Sequence, residues 1–105
     1  MEFTLRQKIE IVKEAKKVIN IYGFICNTIE VILYEDYGVF RSVNATDYIP
    51  ELLDYKPVNI TPMGNGLYGW FGGCKSKENQ AIRIKVLNKL LRKLQYKLKK
   101  EKNMM

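Results

Sequence analysis

The last third of the chain carries the pattern that most restricts the fold. Apolar residues recur there at alternating spacings of three and four positions, namely at Ile84, Leu87, Leu91, Leu94 and Leu98. This spacing is typical of a two-heptad apolar seam along an α-helix, and a further leucine at position 90 widens it toward a core-facing stripe. Ser76 is a suitable N-cap. The pattern predicts one long amphipathic helix over residues 76–100, followed by a tail at 101–105.

The side of this helix opposite the seam collects cationic residues. At about 100° per residue that side contains Tyr96 together with Lys85, Lys89, Arg92, Lys93, Lys97, Lys99 and Lys100. Residues 75–105 hold 11 basic and 2 acidic side chains, whereas residues 1–74 hold 7 and 9. The net charge of +7 therefore arises in the last third. Such asymmetry indicates an acidic partner: nucleic acid, a nucleotide, an anionic membrane surface or an acidic protein. The alternative is a solvated face in a lysine-rich composition.

Two further helices are expected before the midpoint of the chain. Residues 4–22 show apolar positions at three- and four-residue spacing with lysines between them, which predicts an amphipathic helix that ends at Gly23. Residues 24–37 are apolar on more than one side and rich in Ile, Val and Tyr, so an alternating strand is an alternative there. We favour a short buried helix that closes near Gly38, with Cys26 as a small core residue.

The middle of the chain is less regular. A short helix is expected over residues 50–55, capped by Thr46 or Asp47, with Pro50 in its first turn. Residues 56–75 contain five glycines between positions 64 and 73 and read as a long loop with room for a small β element. The chain of 105 residues is therefore expected to form a compact, mostly α single domain over residues 1–105 with a long basic C-terminal helix.

The segment GWFGGCKS at residues 69–76 is close to a phosphate-binding loop. Cys74 stands where that motif requires a glycine, and the preceding segment, which contains Pro62, cannot be a central strand. We therefore reject the motif but keep a candidate site. Helix N-terminal amides, two lysines and three aromatic rings could hold a partner or a small nucleotide. The alternative is that the rings only pin the loop to the core. The candidate residues are Tyr68, Trp70, Phe71, Lys75 and Lys77.

Catalysis and metal binding have little support in the sequence. Histidine is absent, and the two cysteines, Cys26 and Cys74, form no C-x-x-C pair. No catalytic residue, metal site or cofactor is expected, so the chain is predicted not to be an enzyme. No apolar run approaches the roughly 20 residues of a membrane span, and no signal sequence is visible. We therefore expect a cytoplasmic protein.

Short segments distributed along the chain resemble small proteins encoded by bacteriophages and prophages. The segments are an N-terminal helix followed by GFICNTI at 23–29, IPELL at 49–53, Trp70-Phe71, and Arg83-Ile84 with Leu87 three positions later. The resemblance implies a phage accessory protein acting in the cytoplasm of a bacterial host. Such proteins commonly act by binding, which implies inhibition of a host defence factor or another host factor. The longer, very basic final helix departs from that pattern.

Three functions are consistent with these observations. The first is stoichiometric, non-enzymatic inhibition of a host factor, either a host protein or a signalling nucleotide that the loop sequesters. The second is a small nucleic-acid-binding module that uses Lys85, Lys89, Arg92, Lys93, Tyr96 and Lys97, with Tyr96 able to stack on an unpaired base. The third is a homo-oligomer assembled through the apolar seam of the last helix.

Overall fold

A computed structural model describes residues 2–22, 24–40, 44–54, 59–61, 64–65 and 77–103. The helices are α1 (Leu5–Tyr22), α2 (Ile25–Tyr37), α3 (Ala45–Tyr48), a 3₁₀ helix (Pro50–Asp54) and α4 (Lys77–Asn103). Two short strands, β1 (Asn59–Thr61) and β2 (Gly64–Asn65), precede α4 and pair antiparallel. The fold is therefore mostly α, as predicted. The two strands lie within residues 56–75, where the sequence allowed a small β element.

Helix α1 is the centre of the core. Thr4 and Gln7 form a reciprocal capping box: the Gln7 amide donates to Thr4 Oγ1 at 3.1 Å, and the Thr4 amide donates to Gln7 Oε1 at 2.9 Å. Beyond this cap, α1 packs against both α2 and α4. The predicted apolar face is confirmed, since Ile9, Val12 and Ile19 are buried.

Residues 25–37 form a helix, which decides between the helix and strand alternatives. Ile25, Ile29 and Leu33 recur every four residues and are fully buried, so the helical spacing accounts for the burial. The helix ends at Gly38, whose φ of 69° lies in the left-handed region that favours glycine. The amides of Gly38 and Val39 both donate to the Leu33 carbonyl. These hydrogen bonds supply partners to a carbonyl in the last turn of the helix, where carbonyl groups otherwise lack them.

Where one short helix was predicted at 50–55, the structure has the 3₁₀ helix Pro50–Asp54, and a separate short helix, α3, precedes it. Helix α3 begins after Asn44, and Asp47 accepts the Asn44 amide at 3.2 Å from the third helical position. The predicted cap at Thr46 or Asp47 for the helix at 50–55 is wrong, because both residues lie inside α3, where Asp47 is the capping-box partner of Asn44. Pro50 begins the separate 3₁₀ helix, which buries Leu52 and Glu51.

Helix α4 reaches Asn103, three residues past its predicted end, so part of the predicted tail is helical. Its apolar stripe faces the core of this same chain: Leu87, Leu90 and Leu94 are fully buried, and α4 makes its main packing with α1. Leu87 and Leu94, two positions of the seam offered for homo-oligomerisation, are therefore buried within this chain. Ile84, Leu91 and Leu98 are half-buried at the rim of the core.

The helices form a compact molecule with a Cα radius of gyration of 13.7 Å and a longest dimension of 47 Å. Helix α4, about 40 Å long for its 27 residues, accounts for most of that dimension. Within the described ranges no single helix has the length and apolarity to cross a membrane, although α1 and α2 satisfy that test when taken together as a bent pair.

Candidate nucleic-acid interface

The exposed side of α4 carries a continuous row of basic residues. Lys85, Lys89, Arg92 and Lys100 are exposed, and Tyr96 lies among them with 62% of its surface exposed. These positions follow one another at three- and four-residue spacing, so they share one face of the helix. We call these five residues the basic stripe. Three of them, Lys85, Lys89 and Arg92, make no ion pair with any acidic residue in the part of the chain that is described.

One edge of the predicted basic face is neutralised by the 3₁₀ helix. Lys93 pairs with Asp54, and Lys97 Nζ lies 3.2 Å from Glu51 Oε2. Both lysines were expected to be available to an acidic partner, and here the structure differs from the prediction. The cause is the position of the 3₁₀ helix, which brings two carboxylates against α4. We call Glu51 and Asp54 the acidic edge.

Glu51 lies at a junction of three elements. Its side chain is only 8% exposed, and it also accepts from Lys8 of α1, with Lys8 Nζ 3.2 Å from Oε1. Burial by itself would raise the pKa of Glu51, but hydrogen bonds from its own backbone amide, Lys8 and Lys97 outweigh burial and leave that pKa lowered. The carboxylate is therefore charged in the folded protein and holds α1, the 3₁₀ helix and α4 together.

The aromatic loop predicted as a second binding site lies largely outside the described residues. This applies to Tyr68, Trp70, Phe71 and Lys75, and also to Cys74 and the proposed cap Ser76. Lys77 is the first residue of α4 by its backbone. The role of this loop remains a prediction from the sequence.

A cavity of about 230 Å³ lies between α2 and α3, lined by Cys26, Glu30, Asn44, Ala45 and Thr46. The Ala45 amide donates to Glu30 Oε1 at 3.2 Å. Burial first, and the charge of Glu30 second, raise the pKa of the Cys26 thiol to about 12. A thiol with that pKa stays protonated near neutral pH, so it is a poor nucleophile and a poor metal ligand. The prediction that Cys26 is a core residue is confirmed.

Residues of the short segments GFICNTI, IPELL and Arg83-Ile84 hold the helices together. The Arg83 guanidinium carbon lies 4.3 Å from the centroid of the Phe24 ring, so it links the start of α2 to α4. Ile49 and Leu52 are fully buried, with the Glu51 junction between them. These short motifs therefore have structural roles.

Lys100, which the sequence analysis placed on the basic face, lies beside Tyr96 in the structure. Its Nζ lies 5.6 Å from the centroid of the Tyr96 ring, within the range of a cation–π contact. The i,i+4 spacing of Tyr96 and Lys100 is the sequence signal that identifies this pair.

The described ranges contain no group of three or more Cys, Asp or Glu side chains placed to hold a metal ion. The candidate interface is the basic stripe with its acidic edge, a surface suited to bind anions by charge.

Comparison of the chain with models of protein families, with curated proteins and with solved structures finds no match.

Proposed function

We propose that this chain is a non-enzymatic binding protein that engages nucleic acid through the basic stripe of α4. The observation that carries the proposal is the row of cations at Lys85, Lys89 and Arg92, exposed and without acidic partners among the described residues. Phosphate backbones are bound mainly by such exposed Lys and Arg side chains.

The rigidity of α4 supports the same proposal. Its buried side includes Leu87, Leu90 and Leu94, and the helix packs mainly against α1, so the cations on its other side are held along one face. The row from position 85 to position 100 spans about 22 Å at 1.5 Å per residue. A row of this length can contact several phosphates at once, which gives affinity that depends steeply on salt.

The non-enzymatic part of the proposal draws on Cys26, whose burial and high pKa leave it unreactive near neutral pH. We place the protein in the bacterial cytoplasm as a phage or prophage product, on the resemblance of its motifs. Inhibition of a host factor is compatible with this site, because an acidic host protein would meet the same stripe. Sequestration of a nucleotide depends on the aromatic loop and has no support from the described residues.

The test is fluorescence anisotropy with labelled random-sequence nucleic acid, both single-stranded and duplex, over a range of salt concentrations. The informative variant is Lys85→Gln/Lys89→Gln/Arg92→Gln. The matched control, Lys13→Gln/Lys16→Gln/Lys17→Gln, removes the same number of charges from α1. We expect the α4 variant to reduce the slope of log affinity against log salt by about 2 to 3, since each phosphate contact contributes about 0.7–0.9. The α1 control should change it far less.

Two results would overturn the proposal. Equal loss of affinity in both variants would mean that net charge alone attracts the nucleic acid. Failure of the wild type to bind either form at low salt would remove nucleic acid as the partner. In that case, an acidic host protein that binds the wild type but not the Lys85→Gln/Lys89→Gln/Arg92→Gln variant would favour inhibition of a host factor as the function of the basic stripe.

A further inference from the structure

We infer that the nucleic acid bound by the basic stripe is single-stranded, and that one of its bases stacks on Tyr96. This inference rests on the proposed function and narrows its substrate class. Two features carry it: an exposed aromatic ring inside the row of cations, and an acidic edge along one side of that row.

Tyr96 is placed as a stacking platform. It lies four residues after Arg92 and four before Lys100, on the same helix face as both. With 62% of its surface exposed, the ring is not needed to fill the core. Proteins that bind single strands combine cations that follow the phosphates with aromatic rings that stack on bases.

Lys100 adds to this arrangement. Its ammonium group lies over one face of the Tyr96 ring, 5.6 Å from the ring centroid. A base that stacks on Tyr96 would use the other face or displace the ammonium group, and in either case a cation lies within reach of its phosphate. In a duplex the bases are stacked on each other and paired, and their faces are not accessible to a tyrosine on a protein surface. The ring therefore contributes to binding only when the bases are unpaired.

The acidic edge disfavours a duplex. A helix in the major groove has phosphates along both of its sides. On α4, one of those sides is occupied by Asp54 and Glu51 in their ion pairs with Lys93 and Lys97, and Asp54 is 55% exposed. A second phosphate strand there would meet a carboxylate and would have to compete for lysines that are already paired. A single strand lying along the stripe avoids this edge.

The experiment compares a labelled single strand of about 20 nucleotides with the duplex of the same sequence, by anisotropy at one low salt concentration and over a salt series. The variants are Tyr96→Leu, which removes the ring and keeps an apolar helix-forming side chain, and Tyr96→Phe, which keeps the ring. Because Tyr96 is exposed, both variants should fold, and far-ultraviolet circular dichroism checks this.

We expect the wild type to bind the single strand at least about 10-fold more tightly than the duplex. Tyr96→Leu should weaken single-strand binding by about 5- to 30-fold, in line with the loss of one base–ring stack, and Tyr96→Phe should retain it. The salt slope should be the same in Tyr96→Leu and wild type, because no phosphate contact is lost.

Equal or tighter binding of the duplex overturns this inference and leaves the proposed function intact. Unchanged single-strand affinity in Tyr96→Leu also overturns it, since the ring would then take no part. Absence of binding to either form removes the proposed function and this inference together.

Discussion

Glu51 is a carboxylate buried against two ammonium groups that come from distant parts of the chain. Lys8 precedes it by 43 positions and Lys97 follows it by 46. Removing one partner of a buried ion pair is costly, because the remaining charges keep their burial without compensation. The stabilisation at Glu51 therefore depends on its charge as well as on its position.

We expect Glu51→Gln to lower the free energy of unfolding by about 1–3 kcal/mol near neutral pH, as for hydrogen bonds to charged groups. The folded-state pKa of Glu51 is lowered. The contribution of Glu51 to stability is therefore present above its pKa in the unfolded chain, about 4.3, and is lost as the pH falls through its pKa in the folded protein. The difference between variant and wild type should shrink at acidic pH, as measured by urea unfolding at both pH values.

The matched control for Glu51→Gln is Asp54→Asn in the same 3₁₀ helix. Asp54 also pairs with a lysine of α4, but it is more than half exposed. Exposed ion pairs typically contribute less than about 1 kcal/mol, so this variant should unfold close to wild type. A loss as large as that of Glu51→Gln would contradict the assignment of the buried junction to Glu51 alone.

Glu30 should show the opposite pH dependence. Burial raises the pKa of this carboxyl, and the hydrogen bond from Ala45 offsets only part of the effect. The folded state then binds a proton more tightly than the unfolded chain, so stability falls as pH rises between the two pKa values. Glu30→Gln, whose amide oxygen can still accept from Ala45, should have a higher urea midpoint than wild type near neutral pH and a similar one in acid. A lower midpoint near neutral pH would contradict this sign.

At the scale of helices, hydrophobic spacing was sufficient to locate α1 and α4 and favoured a helix for α2, where a strand stayed open as an alternative. Each has apolar residues at three- and four-residue intervals, and each buries those residues. The spacing did not reveal the ion pairs of Lys93 and Lys97, because their acidic partners lie about 40 residues away and the sequence does not encode that approach locally. The division of the middle segment into α3 and a 3₁₀ helix was also missed, since a one-turn helix is too short for a periodic pattern.

Gly38 determines where α2 ends, and this can be tested by substitution. Its φ of 69° is strained for a residue with a Cβ, while an added methyl group would meet no atom within 4 Å. Gly38→Ala should therefore cost about 1–2 kcal/mol from backbone strain alone. Gly38→Asn should cost less, because asparagine tolerates this conformation better. Urea unfolding of the two variants gives the comparison, and an unchanged stability in Gly38→Ala would show that the turn relaxes to another conformation.

On the scale of the whole molecule, α1 holds the core together by packing against both α2 and α4. Leu90 is a fully buried residue of α4 in this core. Leu90→Ala leaves a cavity and should cost about 2–5 kcal/mol, a large share of the roughly 5–15 kcal/mol by which a domain of this size is stable. Thermal or urea unfolding measures the loss.

The control for Leu90→Ala is Leu53→Ala. Leu53 is 63% exposed on the 3₁₀ helix, so truncating it should change the stability by less than about 0.5 kcal/mol. Similar losses of stability in both variants would mean that Leu53 is covered in solution.

The overall class, a mostly α molecule with a basic final helix, was predictable because it follows from the local sequence pattern. The pairing of α1 with α4 was not, since it depends on contacts between distant segments.

That pairing has a consequence for how the protein is made. The first long helix of the sequence finds its main packing partner only in residues 77–103. At about 5–20 residues per second on the ribosome, α1 would wait several seconds with the part of its apolar face that α4 covers still exposed. Contacts this distant in sequence also slow the search for the native state. We therefore expect the fold to be completed only once α4 has emerged from the ribosome, with the nascent chain a substrate for chaperones until then.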